Sequence, residues 1–281
     1  MQQGLATRIP GLRGYLDEVD FDPASLDVCD RYFDLRNHEL QSKFTWGSKE
    51  FAAAYPGYSI ADVVREISKD LGIPALSRLS LPLAFKKIEA ISQKILFIAG
   101  SAGSMKCWPA KYCLELANRF KQSQLESVVI GRPEESSVVD EVRKGGMEFI
   151  DTPTLESALD VISSAKMVIG VDTGLTHLAL NQGIATVMLF RYNSIYQRPF
   201  DNLICLKAPE CLEKCLISEL KGEFHLPLGY SNSDDFYQRS YWQTWHCHEE
   251  EVDKRCMAQI SVDTVFNAAK DLMDREVKPI K

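Results

Sequence analysis

From Lys94 onward the chain alternates short apolar bursts with segments of helical periodicity, and this alternation restricts the fold more than any other feature. Residues 94–100 read as a buried strand by their continuous apolar run, as in a strand covered on both faces. Pro109 then opens a helix, proline being suited to the first helical position, with Cys113, Leu116, Ala117 and Phe120 on one face. Residues 127–131 read as a second strand, followed by a charged helix through Val138, Val139 and Val142. Residues 148–151 are a third, shorter strand, and Thr154 caps a helix carrying Leu155, Leu159 and Ile162. A fourth strand spans 167–172, a short helix follows, and a fifth strand spans 186–190. Five strands with intervening helices predict an α/β, doubly wound parallel sheet with its ligand site at the carboxyl ends of the strands.

With 281 residues the chain is too long for one small module and fits one large or two modest domains. Acidic residues outnumber basic ones, 39 to 32, for a formal charge of −7, which argues against a nucleic-acid partner. No apolar run is long enough for a transmembrane helix. Residues 1–10 do not read as a secretory leader, so the expected compartment is cytoplasmic. The eight cysteines therefore read as reduced thiols or metal ligands rather than a disulfide scaffold. Upstream of the sheet, residues 59–71 form an amphipathic helix with Ser59 and Asp62 in capping-box spacing. Tyr32 to Leu35 can be a strand, and residues 79–89 read as a linker.

Three segments that follow strands carry the chemistry. In the first, Asp172 ends the fourth strand, Thr173 and Gly174 make a tight turn, and a helix begins at once with Leu175 and His177 on its first turn. A glycine there lets a ligand approach the backbone, and exposed amides at a helix start favour an anion such as pyrophosphate. Equally, these residues can be a helix cap, a turn glycine and a core histidine. The second, residues 100–109, offers small residues, free amides and the cation of Lys106, without the spacing of a P-loop. It can also be a loop with a solvated lysine and a packed Trp108. In the third, Glu134 and Glu135 after Gly131 can hold ribose hydroxyls or simply complement a helix dipole.

Because each segment follows a strand, all three lie on one edge of the sheet. Lys106 with Trp108 and Pro109, Gly131 with Glu134 and Glu135, and the run Asp172-Thr173-Gly174-Leu175 with His177 are together similar to the glycosyltransferase family 9 heptosyltransferases. The resemblance covers residues 94–192 well and the tail 211–261 in outline. It implies a GT-B-like fold of two Rossmann-like domains with a nucleotide-sugar in the cleft, the first domain here incomplete. It further implies that Thr173 and Gly174, beside Leu175, contact the diphosphate of an ADP-sugar. Asp172 and His177 would shape the sugar end, Lys106 would offset phosphate charge, and Glu135 or Glu134 would hold the ribose. Amide dipoles and a lysine can stabilise a leaving nucleoside diphosphate, so no obligatory catalytic metal is expected.

Two departures accompany the resemblance. The family opens with a strand, a glycine-rich turn and an aspartate base, for which this sequence has no matching segment. Asp34 and His38 are the local substitutes for that base, or part of a solvated loop. Arg191 stands after the fifth strand, where the family commonly has glycine. The implied division is a shortened acceptor-side domain at 1–91, a nucleotide-sugar domain with a cysteine-rich tail at 92–260, and a helix at 261–281 returning to the first domain. Cys211, Cys215, Cys247 and Cys256 can close a tetrahedral site for structural iron or zinc, or pack as thiols among aromatic residues. The expected function is transfer of heptose or a related sugar from an ADP-sugar to a saccharide of lipopolysaccharide type or a protein acceptor. The alternative is a non-catalytic nucleotide-sugar-binding or partner subunit. Peripheral membrane contact and homo-oligomerisation are left open.

Overall fold

The computed structural model describes residues 8, 60–70, 72, 83–101, 106–134, 136–191, 201–208, 251 and 254–275. A helix, α1 (Ile60–Asp70), precedes the sheet and carries Arg65–Asp62 and Lys69–Glu66 ion pairs at 2.5 and 2.7 Å. The expected strand near Tyr32, the Ser59 cap and the start of the linker lie outside the described residues. A strap of irregular chain, residues 83–88, then leads through a 3-10 turn (Glu89–Ile91) into the sheet.

The sheet elements follow in alternation: β1 (Ile95–Ile98), α2 (Ala110–Gln122), β2 (Ser127–Ile130), α3 (Ser137–Lys144), β3 (Glu148–Phe149), α4 (Leu155–Ser164), β4 (Met167–Val171), α5 (Gly174–Asn181), β5 (Ala185–Phe190) and β6 (Leu203–Lys207). A 3-10 turn (Cys256–Gln259) and a last helix, α6 (Val262–Asp274), complete the order. All strand pairs are parallel, in the order β3-β2-β1-β4-β5-β6. The doubly wound α/β fold is thus as expected, with one strand more than the sequence suggested. β6 adds to the five expected strands: Leu203 to Leu206 is itself an apolar run, but its residues are only half-buried, and among the described residues it pairs with β5 alone.

Both faces of the sheet are covered. Phe97, Val129, Ile169 and Leu189 meet α2, α3 and α6 through Phe120, Val142, Val265 and Leu272. On the other face Leu96, Ile98, Val128 and Val168 meet α4 and α5 through Ala158, Ile162 and Ala179. Thr154 caps α4 with a reciprocal bond to Ser157, and Ser261 caps α6 by accepting from the Thr264 amide at 3.1 Å. Pro109 takes the N-cap position of α2, one residue before the position expected of it. α6 packs on α2, β5 and β6.

Two close approaches set helices on the sheet. A Cβ at Gly131, where φ is +140°, would lie 3.0 Å from Val139, and one at Gly100 would meet Val139 at the same 3.0 Å distance, so α3 presses on the ends of β1 and β2. A Cβ at Gly170 would lie 2.3 Å from Thr176 Oγ1, so the first turn of α5 sits directly against β4. Gly170→Ala is therefore expected to destabilise the protein by about 1–3 kcal/mol through overpacking. Thermal unfolding of Gly170→Ala in a Thr176→Ala background should recover part of the loss. Additive losses would show that the two sites do not press on each other.

Candidate functional site

The strand order reverses between β1 and β4, and in open α/β sheets such a switch point is where the ligand crevice lies, beyond the carboxyl ends of the strands. Lys106 follows β1 and Asp172 follows β4, so the topology delivers both to this crevice. The Lys106 ammonium donates to Asp172 Oδ2 at 2.9 Å, and His177 Nε2 lies 3.1 Å from Asp172 Oδ1. All three side chains are largely buried, 16–22% exposed. The Asp172 amide donates to the Leu189 carbonyl at 3.1 Å, which ties the residue to β5 as well. One carboxylate thus joins the loop after β1, the end of β4 and the first turn of α5.

Burial pushes the Asp172 carboxyl up, but the His177 hydrogen bond and the Lys106 charge and hydrogen bond together outweigh it. The carboxyl is held below its ordinary value and stays ionised.

Trp108 anchors the Lys106 loop. Its indole is buried and donates to the Ile260 carbonyl at 2.9 Å, fixing the loop to the C-terminal 3-10 turn. The packed reading of Trp108 holds, yet the residue positions Lys106 across a sequence separation that local pattern does not reveal.

Thr173 is the N-cap of α5 and its carbonyl accepts from Thr176 and His177, but its side chain makes no capping bond. Gly174 is the first helical residue, and a Cβ built on it meets nothing within 4 Å. Gly174 thus opens the helix rather than forming part of a tight turn, and the positive-φ glycines among the described residues are elsewhere. Helix geometry leaves the Gly174 and Leu175 amides without an intrahelical acceptor, facing the crevice end. The Leu175 side chain packs against the core, so its amide is the group it offers.

Glu134 is exposed on the turn after β2 at the same sheet edge, and among the described residues no hydrogen bond or ion pair joins it to the cluster. Glu135, Asp34, His38, Cys211, Cys215 and Cys247 lie outside the described residues. Cys256 is buried in the same apolar cluster as Trp108, Met257 and Ile260. Among the described residues no group of three His, Cys, Asp or Glu side chains is placed to hold a metal ion, and no helix is long and apolar enough to cross a membrane.

The sequence model of glycosyltransferase family 9 (heptosyltransferase) matches residues 30–203. No curated protein matches the chain significantly. Among solved structures, a glycosyl transferase family 9 protein from Veillonella parvula DSM 2008 superposes with a TM-score of 0.56 at 18% identity, over 77% of this chain and 60% of that one. E. coli heptosyltransferase WaaC, solved with ADP, gives 0.44 at 22% identity over 50% and 48%. The iron-containing dodecameric glycosyltransferase TibC from enterotoxigenic E. coli H10407 gives 0.46 at 12% identity over 73% and 52%. The chain thus spans less than two thirds of the length of each of these proteins.

The depressed pKa of Asp172 gives a signed expectation. Its contribution to stability is present above its unfolded pKa, about 4, and is lost as pH falls through the lower folded value. Asp172→Asn should cost roughly 1–3 kcal/mol at neutral pH. In urea titrations the gap to the parent should close progressively below about pH 4. A gap independent of pH would mean that the Lys106 and His177 bonds add nothing to the folded state.

Proposed function

Because the chain belongs to glycosyltransferase family 9, we propose that it transfers heptose or a related sugar from an ADP-sugar to a saccharide of lipopolysaccharide type or a protein acceptor. The observation that carries this reading is the joining of Lys106, Asp172 and the start of α5 at the switch point of the sheet. In such a transfer the bond from the sugar's anomeric carbon to the β-phosphate oxygen breaks, and that oxygen keeps the electron pair. The acceptor hydroxyl attacks the same carbon and gives its proton to a base. The charge that grows on the leaving ADP is met by the amides of Gly174 and Leu175, the Thr173 hydroxyl and the Lys106 ammonium. Asp172 and His177 stand beside the phosphates toward the sugar, and Glu134 or Glu135 would take the ribose. Asp34 and His38 are the candidates for the base.

The open space in front of Gly174 sharpens the test. A Cβ there meets no atom within 4 Å, and valine is no worse a helix former than glycine, so the added bulk falls on whatever occupies the crevice. Gly174→Val is expected to abolish ADP binding by calorimetry while the thermal midpoint stays near that of the parent. Binding as tight as the parent's would place the diphosphate elsewhere. Turnover of ADP-heptose by the parent supports the transferase reading, whereas ADP binding with no turnover of any ADP-sugar supports the non-catalytic alternative.

A structural metal held by Cys211, Cys215, Cys247 and Cys256 is a second part of the reading. The burial of Cys256 fits the water-shielded thiolate of a closed site, and its anchoring beside Ile260 would tie such a site to the Trp108 loop. Elemental analysis of protein purified without chelator is expected to find about one equivalent of iron or zinc. The Cys211→Ser/Cys247→Ser double variant should lose it. Metal-free parent protein would rule the site out.

A further inference from the structure

The helix that starts at the crevice ends on the strap. α5 is eight residues long, and its C-cap residue is Gln182. The Gln182 side chain grips the Leu83 backbone from both sides: Oε1 accepts from the Leu83 amide at 3.0 Å, and Nε2 donates to the Leu83 carbonyl at 3.0 Å. The same Nε2 donates to Ser163 Oγ of α4 at 3.1 Å. Beyond Leu83 the strap is held by α4, the Lys86 amide donating to Asp160 and the Ile88 amide to Ser164 Oγ, both at 2.8 Å. Arg8 joins the same knot, its guanidinium on Asp160 at 3.2 Å and on the Ala84 carbonyl at 3.1 Å. Residues 84–87 are exposed, so side-chain hydrogen bonds rather than core burial hold this stretch in place.

Two properties make the ends of α5 interdependent. A helix of two turns is marginal by itself, and what stabilises one end stabilises the other, because helix formation is cooperative. Its first turn is also pressed on Gly170 through Thr176, whose hydroxyl has no hydrogen-bond partner among the described residues. The helix therefore responds as a unit, and an anion at its N-terminus favours the helical state as a whole.

We propose that α5 couples the nucleotide-diphosphate site to the strap, so that a nucleoside diphosphate at Gly174 and Leu175 tightens the grip of Gln182 on Leu83. Gln182 is then a positioning residue, some two helical turns from the phosphates it influences. Leu83 is held to α5 more firmly when the site is filled. This inference rests on the diphosphate reading of the crevice.

Coupling is reciprocal, and that makes it measurable from both ends. Hydrogen exchange on the full chain is the first measurement. Saturating ADP should slow exchange at the Leu83, Lys86 and Ile88 amides by about threefold or more. In the Gln182→Ala variant, ADP should bind about fivefold more weakly or worse, and its effect on the strap amides should vanish. A residue that merely stabilises the fold would not make strap exchange depend on ADP, and the exchange measurement on the parent needs no variant to fold. ADP binding to the parent with no change at the strap overturns the coupling and leaves the diphosphate site standing. Failure of the parent to bind ADP overturns both.

Discussion

The absence of a side chain at Gly170 is the constraint on which the site depends. With only a hydrogen there, the first turn of α5 lies against β4, and the chain passes from strand to helix in two residues, Asp172 and Thr173. That short passage puts unpaired amides at the carboxyl edge of the sheet and leaves Asp172 at the reversal point of strand order. A methyl group at residue 170 would force Thr176 outward and tilt α5, with consequences at both ends of the helix. His177 would draw away from Asp172, and Gln182 would shift against Leu83. The same device recurs at Gly100 and Gly131, which let α3 approach β1 and β2. Glycines at strand ends here serve close packing of helices as much as access for a ligand.

This bears on what the sequence made legible. Strands β1, β2, β4 and β5 could be read because burial on both faces demands continuous apolar runs, and the caps at Thr154 and Ser261 because capping chemistry is local. β6 carries an apolar run too, Leu203 to Leu206, but its residues are only half-buried, and its pairing with β5 is what identifies it as a strand. The Asp172 segment could be placed at the site because strand, turn and helix follow in nine residues or so. Its backbone could not: the glycine read as part of a tight turn is helical, and the helix starts without a side-chain cap. The grip of Gln182 on Leu83 had no local signal at all. Gln182, Asp160 and Ser164 are ordinary polar residues on helices, and their partners lie 74 to 99 positions away in the chain.

The pairing of Lys106 with Asp172 also shapes what the crevice can bind. Because the carboxyl is held ionised, Lys106 always has an anionic partner at 2.9 Å, and an incoming ligand must compete for the ammonium or share it. A weakly charged ligand gains little from that exchange, since it trades one close ion pair for another of similar strength. A diphosphate carries more charge and can occupy the helix amides and the ammonium at once, so it keeps the advantage that a single charge lacks. On the proposed reading, then, Asp172 selects by competition. It lowers the affinity for any lone anion while leaving room for a ligand that spans both Lys106 and the start of α5. A carboxylate displaced from Lys106 in this way would still be held by His177 at the sugar end, where its oxygen is free to accept from a sugar hydroxyl.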